Sequence, residues 1–384
     1  MTTEVKINGF CDDRFTRVKQ IFAKNLKSGL DVGASFAATI DGEFVIDMWG
    51  GYADAAKTRP WEEDTIVNVY STTKIMTVLC IHMLVDRGLL DLDAPVAKYW
   101  PEFAQAGKEE LPVRYILSHT SGLPGFEKSI KFKVLYDWDR IINLLAAQKP
   151  WWEPGTKSGY HAVTHGYLLG ELVRRITGKT VGTFFREEVA TPLNADFHIG
   201  LPEKFDSRVG ELIPPNIAEF TKALSGMKNI DLSTTTKVLS NPPLTAELSR
   251  TREWRGVEIP AANGHGNARS VTRITSALAC GGEVDNIRLL SSETIEKSIE
   301  EQIYGPDLVL ILPVRFGLGW GLTSKEMPIG PNPRTFYWGG WGGSRAVMDL
   351  DAKLSFSFVM NKMEMGLTGD PRTLRLTRAM YKAL

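Results

Sequence analysis

Ser71-Thr72-Thr73-Lys74 follows the short β-branched run Ile66-Val67-Asn68-Val69-Tyr70 and opens the apolar stretch Ile75-Met76-Thr77-Val78-Leu79-Cys80-Ile81-His82-Met83-Leu84-Val85. The first run has the composition of a strand. The second is apolar on every side, as in a buried helix. The tetrad lies at the junction, which places Ser71 near a helix N-terminus, where free N–H groups and the dipole favour a developing negative charge. Lys74, three residues on, projects from the same face. Burial beside other polar groups can lower a lysine pKa until it accepts a serine proton. The pair therefore has the makings of a nucleophile and its base, although an N-cap serine followed by a solvated lysine fits the same four residues. A second copy of the spacing, Ser225-Gly226-Met227-Lys228, contains a glycine and precedes no long apolar helix, and reads as a surface loop.

The 384 residues suffice for one large two-lobed unit or two domains. A hydrophobic content of 43% and a charged content of 23% are those of an ordinary globular protein. Lys+Arg and Asp+Glu both number 45, which argues against a nucleic-acid partner. No stretch approaches the roughly 20 apolar residues of a membrane span. The opening Met1-Thr2-Thr3-Glu4-Val5-Lys6 lacks the apolar segment of a signal peptide. Cys11, Cys80 and Cys280 are odd in number and far apart, so a reducing, cytoplasmic setting is expected.

Periodicity organises the rest. Residues 12–30 read as a helix with Phe15, Val18, Ile21, Phe22 and Leu26 on one side. Residues 33–40 and 43–49 read as strands joined by Asp41-Gly42, a strong hairpin signal. Helices are expected over 140–148, over 163–177 with Gly178 closing it, and over 270–280 up to Gly281-Gly282. Residues 202–264, with Pro214-Pro215 and Pro242-Pro243, suit loops and short helices covering a cleft. Strand-like text returns at 307–321, 335–338, 346–350 and 354–360, before a last helix from about Arg372. The expected architecture is thus α+β: an antiparallel sheet built by both chain ends (1–70 and 265–384) and flanked by terminal helices, with a mostly helical lobe (71–264) inserted. Ser71 falls at the hand-over, where a cleft is expected.

Two further segments suit the same chemistry. Tyr160 ends Trp151-Trp152-Glu153-Pro154-Gly155-Thr156-Lys157-Ser158-Gly159-Tyr160, at a loop-to-helix junction. A phenol held between ammonium groups can be driven toward phenolate and act as a base; a packing tyrosine fits the position too. Tyr337-Trp338-Gly339-Gly340-Trp341-Gly342-Gly343-Ser344 reads as a glycine-rich edge strand along which substrate can lie, its N–H groups supplying half of an oxyanion hole. His161 and His165 are four apart, but Ala162 stands where a zinc protease needs glutamate, so no metal site is read there. No cofactor is implied.

With these three segments in order, the chain resembles the serine β-lactamase/D,D-peptidase superfamily, and within it the class C β-lactamase-like esterases (family VIII carboxylesterases). Ser71-Thr72-Thr73-Lys74 matches the first motif, Tyr160 the tyrosine of the second, and Trp338-Gly339-Gly340 stands where lactamases carry Lys-Thr-Gly. Leu117-Ser118-His119-Thr120-Ser121-Gly122-Leu123-Pro124-Gly125, Pro154-Gly155-Thr156 and Gly343-Ser344 are similar in kind, and the likeness runs from about Val32 to Met360. It implies Ser71, Lys74 and Tyr160 as catalytic residues and the N–H groups of Ser71 and Trp341 as oxyanion hole. Trp338, Gly339, Gly340, Trp152 and His161 are expected to border the substrate. Two departures bear on substrate. Ala162 replaces the usual asparagine and Trp338 the usual cation, which disfavours anionic, amide-bearing ligands, unless Arg345 replaces the charge. The implied activity is hydrolysis of short-acyl esters. A β-lactamase, a D-amino-acid peptidase, an acyltransferase, or a non-catalytic binding module on the same fold are the alternatives.

Overall fold

The computed structural model describes residues 6–216 and 231–384. The second Ser-x-x-Lys copy, Ser225–Lys228, lies outside the described residues. The first described element is an edge strand that periodicity did not reveal, β1 (Ile7–Cys11), half-exposed and with Gly9 at its middle. After a one-turn 3-10 helix capped by Asp12, helix α1 (Thr16–Lys27) buries Val18, Phe22 and Leu26. Strands β2 (Gly33–Ile40) and β3 (Glu43–Gly51) form the expected hairpin. Asp41 and Gly42 both have positive φ, 50° and 86°, matching the twist of a two-residue turn.

Next come β4 (Val67–Asn68), helix α2 (Thr73–Asp86), and helices Trp138–Ala147 and Thr164–Thr177, the last closed by Gly178 at φ 72°. Strand β5 (His265–Gly266) pairs with β4 and precedes helix Ala268–Ala279, whose start is set by an Asn267/Ser270 capping box. A small hairpin, β6 (Glu283–Val284) and β7 (Ile287–Arg288), leads to β8 (Ile303–Pro306), β9 (Pro313–Phe316), β10 (Gly321–Leu322), β11 (Thr335–Gly339), β12 (Arg345–Asp349) and β13 (Leu354–Met360). Helix Pro371–Tyr381 ends the described chain. The main sheet is antiparallel in the order β1-β3-β2-β13-β12-β11-β10-β9-β8, so its centre joins the two ends of the chain. The α+β architecture is as expected.

Alternation in β2 and β13 assigns the two faces. Phe36 and Phe356 stack at 6.0 Å, and Tyr381 of the C-terminal helix meets Phe356 edge-on. The other face carries small and hydroxyl side chains, which let helix Ala268–Ala279 sit close. Thr272 Oγ1 donates to the Ala37 carbonyl at 3.2 Å, and the Thr275 and Ser355 hydroxyls are 2.7 Å apart.

Two strand readings are corrected. The glycine-rich strand, expected at an edge, is β11, which lies inside the sheet between β12 and β10. Residues 307–312 are a loop between β8 and β9, with Ile311 at φ 60°. The apolar run Leu308–Leu312 reads as a strand, but Asp307 takes the N–H groups of Val309 and Leu310 on its own carboxylate and so withdraws them from any ladder. Among the described residues no helix is long and apolar enough to cross a membrane.

Candidate active site

Ser71 sits in a single 3-10 turn, Tyr70–Thr72, between β4 and α2. Tyr70 is held at φ 42°, a conformation tyrosine rarely adopts, and its neighbours impose it. Thr73 Oγ1 donates to the Tyr70 carbonyl and accepts the Gly264 N–H, while the Val69 N–H donates to Gly264. The sharp corner leaves Ser71 half-exposed while Tyr70 and every residue from Thr72 to Leu84 are buried. An all-round apolar helix is thus fully enclosed, and only its first turn meets the cleft.

Lys74 is 1% exposed. Its Nζ lies 3.1 Å from Ser71 Oγ, 2.7 Å from the Ala162 carbonyl and 3.0 Å from the Ala261 carbonyl. Two carbonyls occupy two N–H directions, and the third direction faces the serine. Burial lowers the Lys74 pKa well below its ordinary value. As a neutral amine it keeps both carbonyl bonds and turns its lone pair to the Ser71 hydroxyl.

The Tyr160 ring packs 5.3 Å from Trp338 and 5.0 Å from His119, with Lys74 Nζ 4.7 Å from the ring centre. Its N–H donates to Asp307 Oδ1 at 3.0 Å, which fixes the loop in front of helix Thr164–Thr177. Burial raises the phenol pKa, outweighing Ser71 and Trp338, which lie near enough to pull it down. Burial thus opposes the expected drive toward phenolate. Among the described residues Lys74 carries the one amine over the ring, and Trp338 stands where a second is usual. The Tyr160 hydroxyl and the Trp338 indole N–H are both buried and make no direct hydrogen bond among the described residues.

Strand β11 runs into the turn Gly340–Ser344, which is pinned against the Ser71 corner. Ser344 Oγ donates to the Val69 carbonyl at 2.9 Å and lies 2.9 Å from Thr72 Oγ1; the Trp341 ring packs 5.0 Å from Tyr70. Among the described residues neither the Ser71 nor the Trp341 backbone N–H has an acceptor. One free donor thus lies at the serine and the other on the turn packed against its corner.

Some expected border residues stand elsewhere. Gly339 and Gly340 are buried spacers: a Cβ on Gly339 would strike Thr368 and Ser344, and one on Gly340 the Val69 carbonyl. His161 is fully buried, with Nδ1 2.7 Å from the Gly159 carbonyl and Nε2 2.6 Å from Ser121 Oγ, so it backs the wall behind Tyr160 and does not face the cleft. Trp338 is 2% exposed, and Trp152, partly exposed, covers Gly159. Arg345 pairs with Gly339 and so lies on the face opposite Trp338, where it donates to the Thr368 carbonyl and stacks on Tyr337. It does not replace the missing cation. His119, His161 and His165 cluster with rings 4.4–5.2 Å apart, and burial holds them neutral, His161 down to about 3. Among the described residues no group of three His, Cys, Asp or Glu is arranged to hold a metal. Sequence reasoning missed Asp307 and the two carbonyls on Lys74. A lone aspartate at the head of an apolar run was the only signal for the first, and backbone acceptors leave none.

Ser71, Lys74 and Tyr160 thus meet beside the antiparallel sheet, and the comparisons place the chain in a family of known enzymes. The beta-lactamase family model matches residues 18–379, and the chain belongs to that family. It is 37% identical to the esterase/beta-lactamase LipL of Mycobacterium tuberculosis, over 93% of this chain and 83% of that protein. The crystal structure of a family VIII carboxylesterase superposes with a TM-score of 0.91 at 42% identity, covering 99% of this chain and 100% of that one. A penicillin-binding protein homologue from Caulobacter crescentus gives the same TM-score at 39% identity, covering 99% and 100%.

Proposed function

We infer that the chain is a serine carboxylesterase that works through an acyl-enzyme on Ser71. One observation carries the reading: a buried Lys74 amine with two of its three directions held by carbonyls and the third on Ser71 Oγ at 3.1 Å. The Ser71 hydroxyl gives its proton to Lys74 as its oxygen attacks the ester carbonyl. The oxyanion is held by the N–H groups of Ser71 and Trp341. Neutral Tyr160 protonates the departing alkoxide and recovers a proton from Lys74. Water then attacks the acyl-enzyme, its proton passing to the same pair, and the acid leaves with Ser71 restored. This order, lysine as base and tyrosine as acid, is supported by the opposite shifts that burial imposes on the two groups. They act as a coupled pair.

Neutral, short-acyl esters are the substrate class. Trp341 and Trp152 are bulky and partly exposed beside the serine corner and Tyr160, which narrows the acyl side. Ala162 and Trp338 offer a β-lactam neither amide nor cation, and Arg345 faces the other way. Residues 71–264 act as an inserted helical domain on a sheet domain formed by 1–70 and 265–384, and the three free cysteines suit a cytoplasmic setting. The test is a fluorophosphonate probe with peptide mapping, beside p-nitrophenyl acetate, butyrate and octanoate and a chromogenic cephalosporin. Labelling at Ser71 and a folded, inactive Ser71→Ala are expected. Wild-type turnover by folded Ser71→Ala ends the proposal.

A further inference from the structure

We propose that Arg372, clamped between Asp31 and Asp370, is a positioning residue for the oxyanion loop. The loop Gly340–Ser344 closes on two backbone bonds of its own, from the Gly340 N–H to the Ser344 carbonyl at 2.8 Å and from the Gly343 N–H to the Gly340 carbonyl at 3.1 Å, and neither holds the Gly342 carbonyl. Gly342 and Gly343 sit at φ 100° and 120°, so two glycines with wide conformational freedom follow directly on Trp341. In front, the loop is tied to the serine corner by Ser344 and by the Trp341 ring. Behind it stands a guanidinium that is 1% exposed, with every N–H directed at an acceptor. Nη2 donates to the Gly342 carbonyl at 2.6 Å and to Asp370 Oδ2 at 2.6 Å; Nη1 donates to Asp31 Oδ1 and to the Lys362 carbonyl, both at 2.7 Å; Nε donates to Asp370 Oδ2 at 3.0 Å.

Two remote segments therefore meet behind the residue after Trp341. Asp31 leads into β2, Asp370 caps the C-terminal helix through the Arg372 and Thr373 backbone and side chain, and Arg372 lies in that helix's first turn. Gly343 is pressed so closely on Asp370 and Arg372 that a Cβ there would collide with both. Stability alone does not account for this hub, since a buried ion cluster seldom exceeds apolar packing of equal volume. What it supplies is a rigid rear wall. A planar fork between two buried carboxylates adds a charged donor to the Gly342 carbonyl, which also accepts the Glu364 N–H at 3.0 Å while the Gly342 N–H donates to Gly366 at 3.1 Å, and so stiffens the segment that follows the Trp341 N–H.

The inference rests on the oxyanion role given above to Trp341, and the experiment separates the two. Arg372→Lys keeps the charge that the carboxylates need but cannot reach Gly342 with a fork; Asp31→Asn keeps the shape and removes one counter-charge. For each variant, kcat and KM with p-nitrophenyl acetate, the thermal midpoint, and inhibition by a simple arylboronic acid, whose serine adduct mimics the tetrahedral intermediate, are measured well below the midpoint. Arg372→Lys is expected to lower kcat about 10–100-fold with KM within about twofold, short of losing an oxyanion donor outright. Boronate affinity falls by the same factor. Asp31→Asn shifts both in the same direction by about 3–10-fold, and decides alone if Arg372→Lys does not fold. A lowered midpoint with wild-type kcat and boronate affinity per folded molecule overturns the proposal and leaves a merely structural hub. If the wild-type enzyme binds no boronate, or Ser71→Ala stays active, it is the Ser71 reading that falls.

Discussion

Gly340→Ala tests the oxyanion arrangement at its tightest point. Gly340 is not at positive φ, so alanine faces a problem of space alone. The new Cβ would collide with the Val69 carbonyl oxygen, lie 3.1 Å from its carbon and sit 2.6 Å from Ser344 Oγ. Ordinary carbon contacts are about 3.5 Å or more, so the Gly340 turn and the Ser71 corner must part by about 1 Å. The two free N–H groups belong one to each side, so the gap between them widens by the same amount. A misplacement of about 1 Å at a reacting centre lowers rate about 100-fold, and overpacking of this kind destabilises by about 1–3 kcal/mol. The expected result is a folded enzyme with a lower melting midpoint and kcat/KM for p-nitrophenyl acetate down about 100-fold. Active sites are counted by the p-nitrophenol burst. Gly282→Ala is the control: it is strained at φ 103° against the Leu290 backbone, at the β6–β7 hairpin, and should lower the midpoint while sparing the rate per folded molecule. Wild-type kcat/KM in folded Gly340→Ala would refute the two-sided oxyanion hole.

Three further outcomes follow from the same geometry. With Lys74 lowered and Tyr160 raised, kcat/KM should fall as pH drops through the depressed lysine pKa, because protonation removes the base. It should be level from there to beyond pH 10, because burial lifts the tyrosine above its ordinary value. A rate that climbs steadily to pH 10 would point to a phenolate base instead. Asp307→Ala leaves the Tyr160, Val309 and Leu310 N–H groups without their shared acceptor, at about 1–3 kcal/mol for each that finds no other partner. Melting midpoint and kcat should both fall, and Asp307→Asn, which keeps an acceptor oxygen, should recover most of the loss; equal kcat in all three forms would contradict the role given to that loop. Trp338→Lys places a cation beside Tyr160, and a charged hydrogen bond of about 1.5–3 kcal/mol should raise the cephalosporin-to-ester ratio of kcat/KM about tenfold or more. An unchanged ratio would reject the account of selectivity.

What could be read from the sequence was local. Ser71 and Lys74 share a face because three residues make most of a helical turn. The Asp41-Gly42 hairpin and the Gly178 helix end follow from backbone angles that those residues adopt most easily. Motif order also associates Tyr160 and the glycine-rich strand with Ser71. Tertiary structure decided everything that depends on closing the sheet between the chain ends. Asp307 reaches Tyr160 across 147 positions, Ser344 reaches Val69 across 275, and Arg372 reaches Asp31 across 341. No periodicity carries information over such separations. The face of Arg345 depended on its register against Gly339, and the isolation of His161 on two partners for its ring nitrogens. Which of Lys74 and Tyr160 holds the proton depended on burial, which raises an acid's pKa and lowers a base's, and burial belongs to the assembled fold.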